Sequence, residues 1–246
     1  MIHPDLSIVV LAYRSANVIS GITYSLMKEI SDENISYEIV LVGNYMEGTD
    51  DPTPTVVQKL ANEHSSVIRA IVHPKRGMMG WDMRSGLDSA RGKIVAVMDG
   101  DGQMLTIDVL KCYRTLIQGN YDLVKTRRIK RYDGAYRRIL SRGYNLIFAI
   151  VFPKVNATDI NSKPKVFRRE IYSQMKLCSD DWFIDAEIMI EASRLRARTA
   201  EIDSIFLENS MRPSFVNVGT ILEFVGNLIK YRIRHFLAKF ASVLER

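Results

Sequence analysis

Two carboxylates and a carboxamide recur at every second position of "DGDGQ", as Asp99, Asp101 and Gln103, where the apolar run "KIVAVM" (93–98) stops. Their oxygens are hard ligands suited to Mg²⁺ or Mn²⁺, ions that keep positions open for water and phosphate. If the run is a strand that continues to Asp101, side chains two apart share one face, about 6.6 Å apart. The repulsion between the paired carboxylates is then a cost that a divalent ion removes. Asp-Gly-Asp-Gly is equally a turn composition, so the surroundings must decide between a turn and an ion clamp.

Those surroundings alternate. "LSIVVLA" (6–12), "EIVLV" (38–42), "VIRAIV" (67–72), "KIVAVM" and "YDLVK" (121–125) read as buried strands, with helix-patterned segments between them. Ser15 is placed to cap a helix towards Ile30, Pro54 to open one towards Asn62, and "GWDMRSGLDSARG" reads as a helix stopped by Gly92. "KPKVFRREIY" reads as a strand leading into a helix, and "DAEIMIEASRLRA" as a helix feeding the strand "TAEIDSIF". Continuous apolar strands alternating with helices predict an α/β fold with a mostly parallel sheet covered on both faces. In such sheets ligands lie beyond the carboxyl ends of the strands, which is where Asp99 stands, and position therefore favours the ion clamp.

The composition narrows the partners. At 47% hydrophobic and 25% charged over 246 residues, the chain can bury a sizeable core. Its 34 Lys and Arg against 28 Asp and Glu favour anionic ligands. Cys112 and Cys178 form no Cys-x-x-Cys pair, which argues against a disulfide framework and a zinc cluster. No apolar run reaches the about 20 residues of a membrane span, and the first residues do not read as a signal peptide; a cytoplasmic protein, peripheral on the membrane's inner face, is expected. The segment 125–142 carries eight Lys and Arg against one acid, Asp133. A charge run is ordinarily a solvated face, but this one follows a strand end, and arginine suits bidentate phosphate contact. With only Tyr132 and Tyr136 interleaved, it lacks the aromatic platform of a nucleic-acid binder.

From Leu6 to about Arg212 the sequence resembles the family 2 glycosyltransferases of GT-A fold, most closely the polyprenyl-phosphate branch that includes dolichyl-phosphate mannose synthase. The resemblance rests on "SIVVLAY" and above all on "RGMMGWDMRSGLDSARGKIVAVMDGDGQ". It implies a Rossmann-like nucleotide-diphospho-sugar transferase domain over 1–215; residues 216–246, outside the resemblance, read as a basic amphipathic helix. It implies that Asp99, Asp101 and Gln103 hold Mn²⁺ or Mg²⁺ with the donor diphosphate, and that Ala12, Tyr13, Asn44, Gly77 and Asp82, with Arg84 nearby, line the donor site. It assigns Arg127, Arg137, Ser141 and Arg212 to an acceptor phosphate.

In "DDWFIDAEIMIEA", Asp185 matches the general base of members whose acceptor is a hydroxyl; a phosphate acceptor is already ionised and needs none, which would leave Asp185 to orient the acceptor or cap its helix. The expected reaction is metal-dependent, inverting transfer of a sugar from a nucleotide diphosphate to a polyprenyl phosphate, with Asp101 and Asp185 as its catalytic carboxylates. The alternatives are transfer to a glycan or lipid hydroxyl, and a sugar-nucleotide-binding protein without activity. Two loops depart from the family: Ala12-Tyr13-Arg14-Ser15 replaces Ala-Tyr-Asn-Glu, and Gly43-Asn44-Tyr45 replaces an Asp-Asp pair, so base recognition is altered. The tail places Leu222, Val225, Leu228, Ile229, Ile233, Phe236, Leu237 and Phe240 at helical spacing among cations, which suits a membrane surface, its own domain or a partner helix in a homo-oligomer.

Overall fold

The apolar runs pair side by side into one seven-stranded sheet, in the order β3-β2-β1-β4-β6-β5-β7. Its strands are β1 (Leu6–Leu11), β2 (Tyr37–Val42), β3 (Ile68–Ile71), β4 (Ile94–Asp99), β5 (Leu123–Arg131), β6 (Lys165–Arg168) and β7 (Thr199–Phe206). The computed structural model describes residues 3–132, 134–208 and 226–233. Between the strands lie α1 (Ala16–Ser31), α2 (Thr53–Glu63), α3 (Met79–Ser89), α4 (Ile107–Gln118), α5 (Ala135–Val151), α6 (Arg169–Tyr172) and α7 (Ile184–Arg194).

Every residue of β1 is buried because helices cover both sheet faces. Successive side chains take opposite faces. Ile8 and Val10 pack with Ile19, Leu26, Val57 and Leu110 of α1, α2 and α4. Val9 and Leu11 pack on the other side with Met83, Phe148 and Ile188 of α3, α5 and α7.

Four features differ from the sequence reading. β6 runs antiparallel to both of its neighbours, β4 and β5, so the sheet is mixed. An antiparallel strand brings its amino end to the rim where the parallel strands end. β4 stops at Asp99 rather than Asp101: the Gly100 amide donates the last ladder bond to Leu11 O at 2.9 Å, Gly102 takes φ +78, and the Gln103 amide turns back onto Asp101 Oδ1 at 3.0 Å. The motif is thus a turn as well as a strand end, and the two-residue alternation does not extend through it. The basic segment is not one loop, since its first half extends β5 to Arg131 and its second half begins α5. Finally, Ser15 stands before α1 without a side-chain cap; its hydroxyl donates to Tyr13 O at 3.2 Å.

Residues 226–233 are helical, as the tail's pattern predicts, and Leu228 is fully buried among the α5 and α7 side chains. Arg212 and the remaining tail positions lie outside the described residues.

Candidate functional site

The carboxyl ends of β1, β2, β4 and β5 share one rim of the sheet, and the residues with chemistry collect there. Asp99 closes β4 opposite Leu11, with a quarter of its side chain exposed, and Asp101 follows in the turn. Gln103 is buried; its Nε2 donates to Leu207 O at 3.0 Å, and its carbonyl accepts from the Leu207 amide at 2.9 Å. One function of this glutamine is therefore to fasten the chain after β7 to the motif.

The inverted strand supplies what sequence reasoning missed. Lys163, just before β6, places Nζ 2.7 Å from Asp185 Oδ2 and 3.3 Å from Asp99 Oδ2. Lys165, at the first position of β6 and fully buried, bonds Asp185 Oδ1 and donates to Ser162 O at 2.9 Å. Both Asp185 oxygens are thus held by ammonium groups, and the carboxylate is 1% exposed at the start of α7. Burial alone would raise the Asp185 carboxyl, but the two lysines hold it below its ordinary value. Lys163 shows the mirror effect: burial would push it down, and Asp185 and Asp99 raise it instead. Lys165, with burial outweighing its single carboxylate, is pushed down to about 7. Asp99 is raised, mainly by burial, with Asp101 and Asp185 adding to it and only Lys163 opposing.

Glu187, two residues after Asp185, is fully buried against the loop before α7. Its oxygens accept the Cys178 amide at 3.1 Å and the Ser179 amide at 2.9 Å, fixing the loop before α7. That loop abuts α3: a Cβ on Gly80 would fall 2.4 Å from Ser179 O and 2.6 Å from Asp181 O, so only glycine permits the approach. Asp180 accepts from Arg84 and, through its carbonyl, from the Met78 amide at 2.7 Å. Gly77 lies against Asp180 and Trp81 in the same junction.

The predicted donor residues come together beyond β1 and β2. Asn44 donates through Nδ2 to Asp82 Oδ1 at 2.9 Å and to Ser85 Oγ at 3.3 Å, and accepts the His73 amide at 2.9 Å. Its amide group thereby ties β2, the segment after β3, and α3. Asp82 is also paired with the buried Lys75, whose Nζ stands 4.3 Å from the centre of the Tyr13 ring. Burial raises the Asp82 carboxyl despite that partner. Ala12 is fully buried and continues the ladder to Val42 O at 2.9 Å.

Farther along the rim, a groove of about 380 Å³ opens between the end of β5 and α5. Arg127, Arg128, Arg138, Ser141 and Arg142 line it, whereas Arg137 does not. Arg128 is committed to Asp159 by two bonds of 2.7 and 2.6 Å, and Arg127 pairs across to Asp203 on β7 while remaining half exposed. Of the sequence-predicted acceptor residues, Arg127 and Ser141 thus meet in one groove. Lys125, a fully buried residue of β5, donates to Thr126 O at 2.7 Å and to Glu201 Oε1 at 3.0 Å, which makes it a structural cation.

Among the described residues no three His, Cys, Asp or Glu side chains gather into a closed metal cage. Asp99 and Asp101 nonetheless fit a divalent ion of the kind that takes one or two carboxylates and completes its shell with phosphate and water.

Comparison with known proteins agrees with this architecture. The sequence model of the family described as "Glycosyl transferase family 2" matches residues 7–176. An undecaprenyl-phosphate 4-deoxy-4-formamido-L-arabinose transferase from Proteus mirabilis is 26% identical over 224 residues, 91% of this chain and 66% of its own. A dodecaprenyl-phosphate galacturonate synthase from Rhizobium johnstonii is 27% identical over 160 residues, 63% of this chain and 46% of its own. The chain therefore spans about half to two thirds of these relatives' length. Among solved structures, glucosyl-3-phosphoglycerate synthase from Mycobacterium tuberculosis with UDP superposes at a TM-score of 0.67, covering 94% of this chain and 79% of that one at 15% identity. The same enzyme with Mn²⁺, UDP-glucose and phosphoglyceric acid gives 0.66, at 92% and 77% coverage and 15% identity. The GT-A fold expected from the sequence is the fold observed.

Proposed function

This chain belongs to glycosyl transferase family 2, and we propose that it transfers a sugar, with inversion, from a nucleotide diphosphate to a polyprenyl phosphate at the membrane face. The observation that carries the choice of acceptor is the state of Asp185. A general base needs access to the acceptor and a proton affinity matched to its task. Here the carboxylate is buried, Lys163 and Lys165 lie against it, and the carboxyl sits below its ordinary range, so its proton affinity is poorly matched to that role. A hydroxyl acceptor would find no base there, whereas a phosphate monoester arrives ionised. The arginine-lined groove on the same rim supplies the cations such an acceptor needs. The relatives named for undecaprenyl and dodecaprenyl phosphate support the same class.

In this reading Tyr13, Asn44, Gly77 and Asp82 shape the donor pocket, and Lys163 and Lys165 fix Asp185 as a positioning anion that orders the rim. Arg127 and Ser141, with Arg137 and Arg212 to be tested beside them, hold the acceptor phosphate so that its oxygen faces the anomeric carbon. That oxygen forms the new bond as the bond to the nucleoside diphosphate breaks, giving inversion in one displacement. A Mn²⁺ or Mg²⁺ ion held by Asp99 and Asp101, with Gln103 adjacent, would neutralise charge on the departing diphosphate.

The test offers labelled sugar nucleotides with a short-chain polyprenyl phosphate, or with the matching polyprenol, in Mn²⁺ or in chelator. Label in the organic phase only with the phosphate and the metal is the expected result. Transfer to a hydroxyl acceptor in preference, or no lipid-linked sugar from any donor that binds, would overturn it.

A further inference from the structure

Lys163 does more than the anchoring of Asp185 requires. Lys165 already holds one Asp185 oxygen from a fully buried position, yet a second ammonium stands beside it and reaches Asp99 as well. The Lys163 Nζ has three protons to donate. Asp185 Oδ2 lies at 2.7 Å, Asp99 Oδ2 at 3.3 Å and Met79 Sγ, at the start of α3, at 3.7 Å. The group is also fixed in place: its side chain is 3% exposed, and Thr126 Oγ1 donates to the Lys163 carbonyl at 2.7 Å. A surface lysine swings into water when another cation approaches, whereas this one is enclosed and held by Asp185. Asp99, by contrast, keeps a quarter of its side chain exposed at the end of β4. One carboxylate thus meets solvent on one side and a buried ammonium on the other.

We propose that Lys163 is a positioning residue that sets how Asp99 takes a divalent ion: it holds Asp99 Oδ2 from behind and lowers the affinity for the bare ion, so that the ion is kept only together with a diphosphate. Resting on the reading of Asp99 and Asp101 as ion ligands, the assignment follows from charge. Two carboxylates match the charge of one dication. An ammonium fixed on the far side of Asp99 cancels part of that match, and because it cannot swing away its repulsion of a dication persists. A diphosphate restores the balance, since small hard cations complete their shell with phosphate oxygens. Groups that hold a metal ligand from behind change metal affinity by about 10–100-fold. With a cation in that place, its removal is a gain in affinity. Lys163 thereby keeps Asp99 and Asp101 from retaining an ion once the nucleoside diphosphate has left.

The experiment is equilibrium dialysis of the full chain against Mn²⁺, with and without inorganic pyrophosphate, in the parent, Lys163→Gln, Lys163→Met and Asp101→Asn. Glutamine keeps a donor towards the two carboxylates without the charge, and so covers a methionine variant that does not fold; circular dichroism and melting temperature follow both. In the parent, Mn²⁺ alone should bind at least about tenfold more weakly than Mn²⁺ with pyrophosphate. In Lys163→Gln, and in Lys163→Met where it folds, Mn²⁺ alone should bind at least about tenfold more tightly than in the parent, with a smaller gain from pyrophosphate. Asp101→Asn should lose the pyrophosphate-assisted binding, which locates the ion. A lysine that only supports Asp185 would shift the melting temperature and leave Mn²⁺ binding unchanged or weaker, and either result overturns the proposal. So does a parent that binds Mn²⁺ equally with and without pyrophosphate. Mn²⁺ bound under neither condition, or bound undiminished by Asp101→Asn, overturns the ion site and the proposal with it, a result distinct from a failure confined to Lys163.

Discussion

Replacing Lys163 by methionine removes a cation that touches both Asp99 and Asp185. At an effective dielectric of about 20, its contact of 2.7 Å with Asp185 is a gross attraction of roughly 6 kcal/mol, most of it offset by desolvation of the two buried groups. Removing one partner exposes that desolvation without its compensation, at about 3–5 kcal/mol. Lys165 remains on the other oxygen, so the lower end applies, near 3 kcal/mol; for a chain of this size that is a fall in Tm of roughly 6–12 °C.

The pH dependence has a definite sign. In the parent the depressed Asp185 contributes stability above its unfolded pKa, lost as pH falls through the lower folded value. In the variant Lys163's share of that stabilisation is gone while Lys165 keeps its own. The gap between parent and variant is therefore fully present near pH 7 and narrows towards about pH 3, as acid protonates the carboxyl in both. Urea unfolding at both pH values measures it, and the double variant Lys163→Met/Asp185→Asn completes a cycle with an expected coupling of about 2 kcal/mol or more. Additive effects, or a gap that does not change with pH, would refute the claim that these two charges hold one another.

Asp101→Asn should lower sugar transfer by about 10²–10³-fold and shift the Mn²⁺ dependence upward with Tm unchanged, read by initial rates across a metal titration. Arg128→Met breaks the buried two-bond pair with Asp159, at about 3–5 kcal/mol by urea midpoint. Burial would raise Asp159, but Arg128 and Lys125 hold it well below the usual carboxylate range, so the parent's benefit is present above about pH 4 and fades on acidification, and the variant should lack that acid limb. Gly80→Ala forces a Cβ onto the backbone oxygens of Ser179 and Asp181 and should cost about 1–3 kcal/mol by the same measurement.

How far the site was legible follows from geometry. Asp99 could be found because an apolar β-branched run ending in a carboxylate marks the carboxyl end of a buried strand, and that end is where ligands bind. Tyr13 and Asn44 came from the family resemblance, and both lie just past the ends of β1 and β2. Lys163 and Lys165 escaped because "NSKPKVF" reads locally as a polar approach to a strand; only the inversion of β6 turns its amino end into part of the rim. The one local signal is Lys165 beside Val166 and Phe167 at the start of a strand, since a lysine that is buried there needs a partner. The basic segment misled in the opposite way: eight cations in sequence looked like one surface, yet Lys125 is buried within β5, Arg128 is spent on Asp159, and Arg137 stands outside the groove.

What the sequence alone determined was the layered α/β architecture, the strand ends and the carboxylate motif, because periodicity and composition fix local structure and burial. Tertiary structure alone decided which charges meet. The antiparallel entry of β6 puts two lysines on Asp185, a pairing on which the proposed choice of acceptor rests. Helix periodicity could mark α5 as amphipathic, but only its seating between core and groove puts Arg138, Ser141 and Arg142 along the groove. Pairings across the sheet depend on strand direction and register, which local sequence does not encode.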